Sequence, residues 1–79
     1  MLDLFIMEGC PFCKKVTDFM ESKKIQYNKV DTKNPDNILK LMTIGGKDQV
    51  PFLYDTEKHN KIYESDDIIE YIKTEYNHG

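Results

Sequence analysis

This sequence lacks the features that identify membrane, secreted or nucleic-acid-binding proteins. Its 79 residues contain no apolar stretch long enough to span a bilayer or to form the core of a signal peptide. Structural disulfides are rare in the cytosol, and a bridge between its only two cysteines, Cys10 and Cys13, would close a very small loop. We therefore expect a cytoplasmic chain without a membrane partner, in which the cysteine pair is catalytic or metal-binding rather than a structural crosslink.

The sequence also lacks an excess of basic charge, internal repeats and linkers. Eleven basic and 14 acidic residues give a net charge of −3, and the two signs are interspersed, so no basic stripe indicates a nucleic-acid partner. The 32% of charged and 39% of hydrophobic residues are typical of a soluble globular protein. A chain this short buries only about 60% of its unfolded surface, so residues 1–79 should form one domain of modest stability around a small core.

What the sequence does contain is a Cys-x-x-Cys motif between a strand and a helix. An apolar run, residues 4–7, precedes the motif, and a helical pattern begins at Pro11, so Cys10 should lie at a helix N-terminus. Amide N–H groups and the positive end of the helix dipole favour a negative charge on sulfur there. The thiolate is the reactive form of cysteine, and the motif after a strand is typical of a thioredoxin-like redox site. The alternatives are that Cys10 is an inert thiol and that Cys13 only packs.

Apolar periodicity and turn residues predict seven elements. Strands are expected at residues 2–7, 25–31, 52–54 and 61–63, and helices from 11 to about 22 or 24, from 35 to the Gly45-Gly46 pair, and from 66 to about 76. Asn34 and Ser65 should cap the second and third helices. Ile38, Leu39, Leu41 and Met42 should supply the apolar, inward-facing side of the second helix. A right-handed crossover makes the first two strands parallel, and the last two should form a hairpin.

Three spaced features together resemble the glutaredoxins, the glutathione-dependent branch of the thioredoxin fold. They are Cys10-Pro11-Phe12-Cys13 after the first strand, Val50-Pro51 before the third, and Ser65-Asp66-Asp67 at the start of the last helix. The resemblance covers essentially the whole chain. It implies an α/β thioredoxin fold of order β-α-β-α-β-β-α, with a four-stranded mixed sheet and helices on both faces, and we expect a monomer.

The resemblance implies a role for each of these residues. Cys10 would be the nucleophile that attacks a disulfide, and Cys13 the resolving thiol. A cis peptide bond at Val50-Pro51 would face Cys10, and the backbone of Val50 would pair with the cysteinyl unit of glutathione. The start of the last helix would bind the carboxylate and ammonium of the γ-glutamyl unit. The glutathione contacts implied in this way are Phe12, Lys47, Val50, Pro51, Ser65 and Asp66.

Two positions differ from the usual glutaredoxin pattern and leave the reductant open. Met7 stands where a lysine is usual, and Gln49 where a threonine is usual. The leading hypothesis is an enzyme that reduces protein disulfides and glutathione mixed disulfides with glutathione, regenerated by glutathione reductase. In a close variant, the chain is a thioredoxin-like electron donor reduced by thioredoxin reductase.

Two further hypotheses belong to other functional classes. One Cys-x-x-Cys supplies only two ligands, so an iron–sulfur cluster carrier would need the motifs of two chains, or Cys10 with glutathione on each of two subunits. The Pro11-Phe12 spacer argues against it, because cluster-binding relatives commonly carry smaller residues there. Glu64-Ser65 is similar to the glutathione-binding end of glutathione transferase N-terminal domains, so a non-catalytic glutathione-binding module is the third hypothesis. No metal is expected, and His59 and His78 have no spacing that suggests a metal site.

Overall fold

The computed structural model describes residues 1–76 and has the seven elements in the predicted order. They are β1 (Leu2–Ile6), α1 (Pro11–Ser22), β2 (Asn28–Asp31), α2 (Pro35–Gly45), β3 (Phe52–Asp55), β4 (Asn60–Tyr63) and α3 (Ser65–Tyr76). The strands form one sheet in the order β2-β1-β3-β4. β1 and β2 are parallel, whereas β3 is antiparallel to both β1 and β4, so the predicted crossover and hairpin are confirmed.

The sheet separates two apolar clusters, because successive residues of a strand face opposite sides. On one face α1 and α3 pack against β1 and β3. On the other face Phe5 and Phe52 pack against Leu41 of α2. The predicted mixed sheet with helices on both faces is therefore confirmed. The fully buried residues of the first cluster are Leu4, Val16, Met20, Leu53, Ile68 and Ile72.

β2 is shorter than predicted and begins at Asn28 rather than at Ile25. Lys24 has the left-handed backbone conformation (φ 56°), and the Ile25 N–H donates to the Met20 C=O at 2.9 Å. This turn closes the end of α1 and carries the following residues outside the sheet. Ile25 and Tyr27 still pack against the core, which explains why their apolar pattern resembles that of a strand although they lie outside the sheet.

α2 has its predicted ends but buries a narrower face than the sequence indicates. Gly46 ends the helix in the left-handed conformation (φ 83°). Leu41 is fully buried and Ile44 packs beside it, whereas Leu39 and Met42, which were predicted to face inward, are 67% and 41% exposed. At about 100° per residue, Met42 and Leu39 lie about 100° and 160° around the helix from Leu41, so the sheet does not cover them.

The end of the sheet where β1 begins is held together by a buried carboxylate. Asp55 has no exposed surface and accepts hydrogen bonds from the hydroxyls of Tyr71 and Tyr76, at 2.6 and 2.5 Å. The backbone N–H groups of Glu57 and Lys58 donate to its other oxygen. Asp55 thereby joins the β3–β4 turn to the last turns of α3.

None of the helices within residues 1–76 is both long and apolar enough to cross a membrane.

Candidate active site

The strand directions bring the predicted site residues to one edge of the sheet. Phe52 at the start of β3 pairs with Phe5 near the end of β1 and with Tyr63 at the end of β4. The segments that follow β1, precede β3 and follow β4 therefore share this edge. Cys10, Pro51 and Ser65 lie in these three segments, in that order.

Cys10 is the residue that caps α1, as the sequence predicts. It has extended backbone angles (φ −85°, ψ 113°), Pro11 is the first helical residue, and the Cys10 C=O accepts from the Lys14 N–H at 3.0 Å. The Cys10 Sγ accepts the Cys13 backbone N–H at 3.2 Å. A sulfur in this position occupies the place of a capping oxygen, and an amide donor stabilises a negative charge on it. The side chain is half-buried, so a substrate can reach it.

Cys13 lies one helical turn further into α1 and is almost inaccessible, with 2% of its surface exposed. Burial, followed by the hydrogen bond with Cys10, raises the pKa of the Cys13 thiol to about 12. Cys13 is therefore protonated at neutral pH, as expected for a residue deeper in the helix. The pair consists of an accessible sulfur beside a backbone donor and a protected thiol.

The Val50-Pro51 peptide bond is cis, as predicted. Pro51 is buried and Val50 is half-buried. The Gln49 side-chain amide donates to Glu64 Oε1 at 2.9 Å, so the residue before this pair is tied to the residue before α3. Two of the predicted glutathione-binding segments are thus joined by a direct hydrogen bond.

Lys47 lies in the same loop and is held by Tyr63. The Tyr63 hydroxyl donates to the Lys47 C=O at 3.0 Å and accepts the Lys47 N–H at 3.2 Å. The Lys47 ammonium stays exposed, 5.4 Å from the centre of the Tyr63 ring. The Tyr63 hydroxyl reaches the loop because Gly45 has no side chain, since a Cβ there would come within 2.1 Å of the hydroxyl oxygen.

The start of α3 differs from the prediction by one residue. The helix begins at Ser65, and the Glu64 C=O accepts the first helical hydrogen bond, from Ile68 N–H at 2.9 Å. Glu64, in the left-handed conformation (φ 72°), therefore holds the cap position that we predicted for Ser65. Because the helix begins at Ser65, the backbone N–H groups of Ser65, Asp66 and Asp67 have no helical acceptors.

Ser65 is 7% exposed, and the structure shows no hydrogen bond to its hydroxyl from any of residues 1–76. No wholly buried side-chain oxygen among these residues lacks a partner, so the hydroxyl keeps some contact with solvent. Asp66, beside it, is exposed and forms an ion pair with Lys15 of α1. Sequence reasoning missed Lys15, because 51 residues separate the partners and no spacing rule connects them.

Two apolar side chains, Met7 and Phe12, are exposed before and after Cys10, by 52% and 62%. Because Phe12 is 62% exposed, it does not pack in the core. An exposed aromatic side chain two residues after Cys10 is available to a disulfide bound at this position.

The part of the chain that the structure describes contains no group of three His, Cys, Asp or Glu side chains that could hold a metal ion. His59 is exposed, with its Nδ1 3.5 Å from the Tyr54 hydroxyl. His78 lies outside the described residues.

Comparisons with known proteins give one matching family and several solved structures of similar fold. The family described as glutathione S-transferase, N-terminal domain, matches residues 4–78. A search of curated proteins found no match. Among solved structures, the chain is similar to a mutant of a thioredoxin-like protein, with 17% identity and a TM-score of 0.82, over 98% of this chain and 100% of that one.

The chain is also similar to two transferases. One is a glutathione S-transferase from the Antarctic clam Laternula elliptica, with 24% identity and a TM-score of 0.81, over 98% of this chain and 36% of that one. The other is glutathione transferase Omega 3C from Trametes versicolor, with 23% identity and a TM-score of 0.84, over 98% and 34%. This chain thus spans about a third of the length of the transferases and the full length of the thioredoxin-like protein. The predicted thioredoxin fold is confirmed.

Proposed function

Because the chain belongs to the family of glutathione S-transferase N-terminal domains, we propose that it is a glutathione-dependent thiol–disulfide oxidoreductase of the glutaredoxin type. The observation that carries the proposal is the asymmetry of the two sulfurs. The Cys10 Sγ accepts a backbone N–H at the start of α1, whereas Cys13 is buried and protonated. Such a pair fixes the order of attack in thiol–disulfide exchange.

In the proposed reaction the Cys10 thiolate attacks one sulfur of a glutathione mixed disulfide. A bond forms between the Cys10 Sγ and the glutathione sulfur, and the substrate leaves as a thiolate, which takes a proton from solvent. A second glutathione thiolate then attacks the same glutathione sulfur. It releases oxidised glutathione and restores the Cys10 thiolate.

With a protein disulfide the second step uses Cys13. After Cys10 has formed a mixed disulfide with the protein, Cys13 loses its proton and attacks the Cys10 Sγ. The protein leaves as a dithiol, and a Cys10–Cys13 disulfide remains. Two glutathione molecules then reduce this disulfide and are themselves oxidised. Glutathione reductase is the proposed partner that regenerates them.

We assign the binding of glutathione to the edge that carries Cys10. The Val50 backbone before the cis proline would pair with the cysteinyl unit, and Phe12 would contact its sulfur. Ser65 and Asp66 would bind the γ-glutamyl unit, and Lys47 the glycyl carboxylate. The exposed ammonium of Lys47 and the unbonded amides at the start of α3 support these assignments.

A thioredoxin-like electron donor is the second candidate function. Met7 is an exposed apolar residue beside the motif, and the chain matches a thioredoxin-like protein over that protein's whole length. This candidate uses Cys10 and Cys13 in the same way but takes its electrons from a flavoprotein such as thioredoxin reductase. A cluster carrier would instead need ligands from a second chain or from glutathione.

A coupled assay tests the proposal. The substrate is the mixed disulfide of glutathione with 2-mercaptoethanol, and NADPH oxidation through glutathione reductase reports turnover. We expect activity in the wild type, none in Cys10→Ser, and retained activity in Cys13→Ser, because the second glutathione replaces Cys13 with this substrate.

Other outcomes identify the alternatives. Turnover of a protein disulfide with thioredoxin reductase, but none with glutathione, would establish the electron donor. Glutathione binding by calorimetry without turnover of either substrate would indicate a non-catalytic binding module. A coloured dimer after anaerobic purification would indicate a cluster carrier.

A further inference from the structure

Lys15 joins the candidate active-site helix to the start of α3. Its ammonium is paired with the carboxylate of Asp66, across the gap between the two helices. Both side chains are largely exposed, 52% for Lys15 and 81% for Asp66, so each can move toward a ligand. An exposed pair of this kind contributes little to stability.

The surroundings of this ion pair favour a ligand that carries both charges. Glu64 at the cap position and Asp66 and Asp67 in the first turn place three carboxylates at the start of α3. A ligand carboxylate that approaches the free backbone N–H groups there meets this negative charge. The Lys15 ammonium, which is paired with Asp66, provides a positive charge at the same place. The almost buried Ser65 hydroxyl, which has no partner among residues 1–76, provides a further polar contact at the same place.

We propose that Lys15 binds the α-carboxylate of the γ-glutamyl unit of glutathione, while Asp66 binds the ammonium on the same carbon. This inference rests on the proposed function and adds a recognition residue to it. The Lys15–Asp66 pair opens, and a zwitterion enters between the two side chains. Each charge keeps a partner of opposite sign, so no charged group is left unpaired. The site therefore recognises a free amino acid group rather than an amide.

The kinetics of Lys15→Gln test this inference. We expect the KM for the glutathione mixed disulfide to rise about five-fold, the size of an exposed charge-assisted contact, with kcat unchanged. Lys14→Gln is the matched control. Lys14 is the preceding residue of the same helix, is more exposed than Lys15 (75% against 52%), and forms its own ion pair, 2.7 Å from Asp18. We expect Lys14→Gln to have the wild-type KM. Lys15→Arg keeps the positive charge and should retain most of the wild-type affinity.

A second substrate separates recognition from a structural effect. The mixed disulfide of cysteinylglycine lacks the γ-glutamyl unit, so Lys15→Gln should leave its KM unchanged. An equal rise for both substrates would assign Lys15 a structural role. A fall in the KM of Lys15→Gln for the glutathione mixed disulfide would show that Lys15 competes with the ligand for Asp66. Either result, or an unchanged KM in an active enzyme, overturns this inference alone. Absence of turnover in the wild type contradicts the proposed function as well.

Discussion

The two sulfur atoms of the motif differ in their access to solvent. Cys10 reaches the surface at the helix start, whereas Cys13 is buried beneath it. Burial is the main cause that raises the pKa of Cys13, since a thiolate loses more solvation than a thiol in an apolar surrounding. The difference arises from their positions three residues apart on one helix.

This difference predicts selective alkylation. Iodoacetamide at neutral pH should modify Cys10 rapidly and leave Cys13 unmodified in the folded protein, because Cys13 is both buried and protonated. Intact mass spectrometry should show one added carbamidomethyl group, and two after unfolding in guanidinium. Cys10→Ser should show none until it is unfolded. Rapid modification of Cys13 in folded Cys10→Ser would contradict the assignment.

Asp55 shows how a buried carboxylate is kept ionised in a small domain. Burial alone would raise its pKa, but the hydroxyls of Tyr71 and Tyr76 and two backbone N–H groups hold the pKa below its ordinary value of 3.8. A group with a lowered pKa in the folded state stabilises the fold above its unfolded pKa. That contribution is lost as the pH falls through the folded value.

Asp55→Asn should therefore lower the free energy of unfolding by about 2 kcal/mol at neutral pH, the usual cost of losing hydrogen bonds to a buried charge. The difference from the wild type should begin to shrink below about pH 4, where Asp55 of the unfolded chain takes up a proton, and should vanish once the pH has fallen through the lower pKa of the folded state. Urea unfolding followed by circular dichroism measures both values. Asp48→Asn, at an exposed position, is the control and should match the wild type. A difference that does not depend on pH would contradict the role of the charge.

At the scale of elements, the close approach of α2 and β4 positions the loop before the cis proline. The Tyr63 hydroxyl holds Lys47 by two hydrogen bonds and passes over Gly45. The nearest atoms to a Cβ at Gly45 would be the Tyr63 hydroxyl oxygen at 2.1 Å and Tyr63 Cζ at 2.9 Å. Gly45 thus serves packing, whereas the adjacent Gly46 serves the left-handed end of the helix.

Gly45→Ala should displace Tyr63 and destabilise the protein by about 2 kcal/mol, as overpacking usually does. A double-mutant cycle with Tyr63→Phe tests the cause, because removal of the hydroxyl relieves the closest contact. The penalty of Gly45→Ala should fall by about half in the Tyr63→Phe background. Thermal or urea unfolding of the four proteins gives the coupling, and strictly additive effects would exclude the contact as the cause.

The elements that could be predicted from the sequence are those with local signals. Asn34-Pro35 and Pro11 mark helix starts, and Gly46 marks a helix end, because each acts through its own backbone conformation. The start of β2 could not be predicted, since the turn at Lys24 depends on a hydrogen bond to the end of α1. Leu39 and Met42 were misplaced because periodicity gives the apolar side of a helix but not the width that its partner covers.

The candidate site shows the same limit at the scale of the whole molecule. The positions of Cys10, Cys13 and the cis proline follow from motifs a few residues long. The pairs Lys15–Asp66 and Gln49–Glu64 join segments that come together only in the folded sheet, so no spacing in the sequence reveals them. The role of Asp55 was missed for the same reason, because its partners Tyr71 and Tyr76 lie on another element.

The shape of the molecule favours exchange at an open edge. A groove of about 730 Å³ lies at the end of the sheet opposite the motif, and Leu2, Phe19, Ile25 and Tyr76 are among the residues that line it. Cys10 is instead flanked by the exposed Met7 and Phe12. A sulfur at an open edge can meet the disulfide of a folded protein, which an enclosed cavity would exclude.

From this arrangement we expect the 79-residue chain to act alone as a monomer, although it spans only about a third of the transferases it resembles. All the proposed glutathione contacts come from one chain, so the proposed site needs no residue of a second chain. Its specific activity toward the glutathione mixed disulfide should stay constant over a roughly hundred-fold dilution, because a monomer has no association equilibrium to shift. Sedimentation at the assay concentrations gives the mass of the active species. A specific activity that falls with dilution, together with a dimer at high concentration, would show instead that a second chain completes the site.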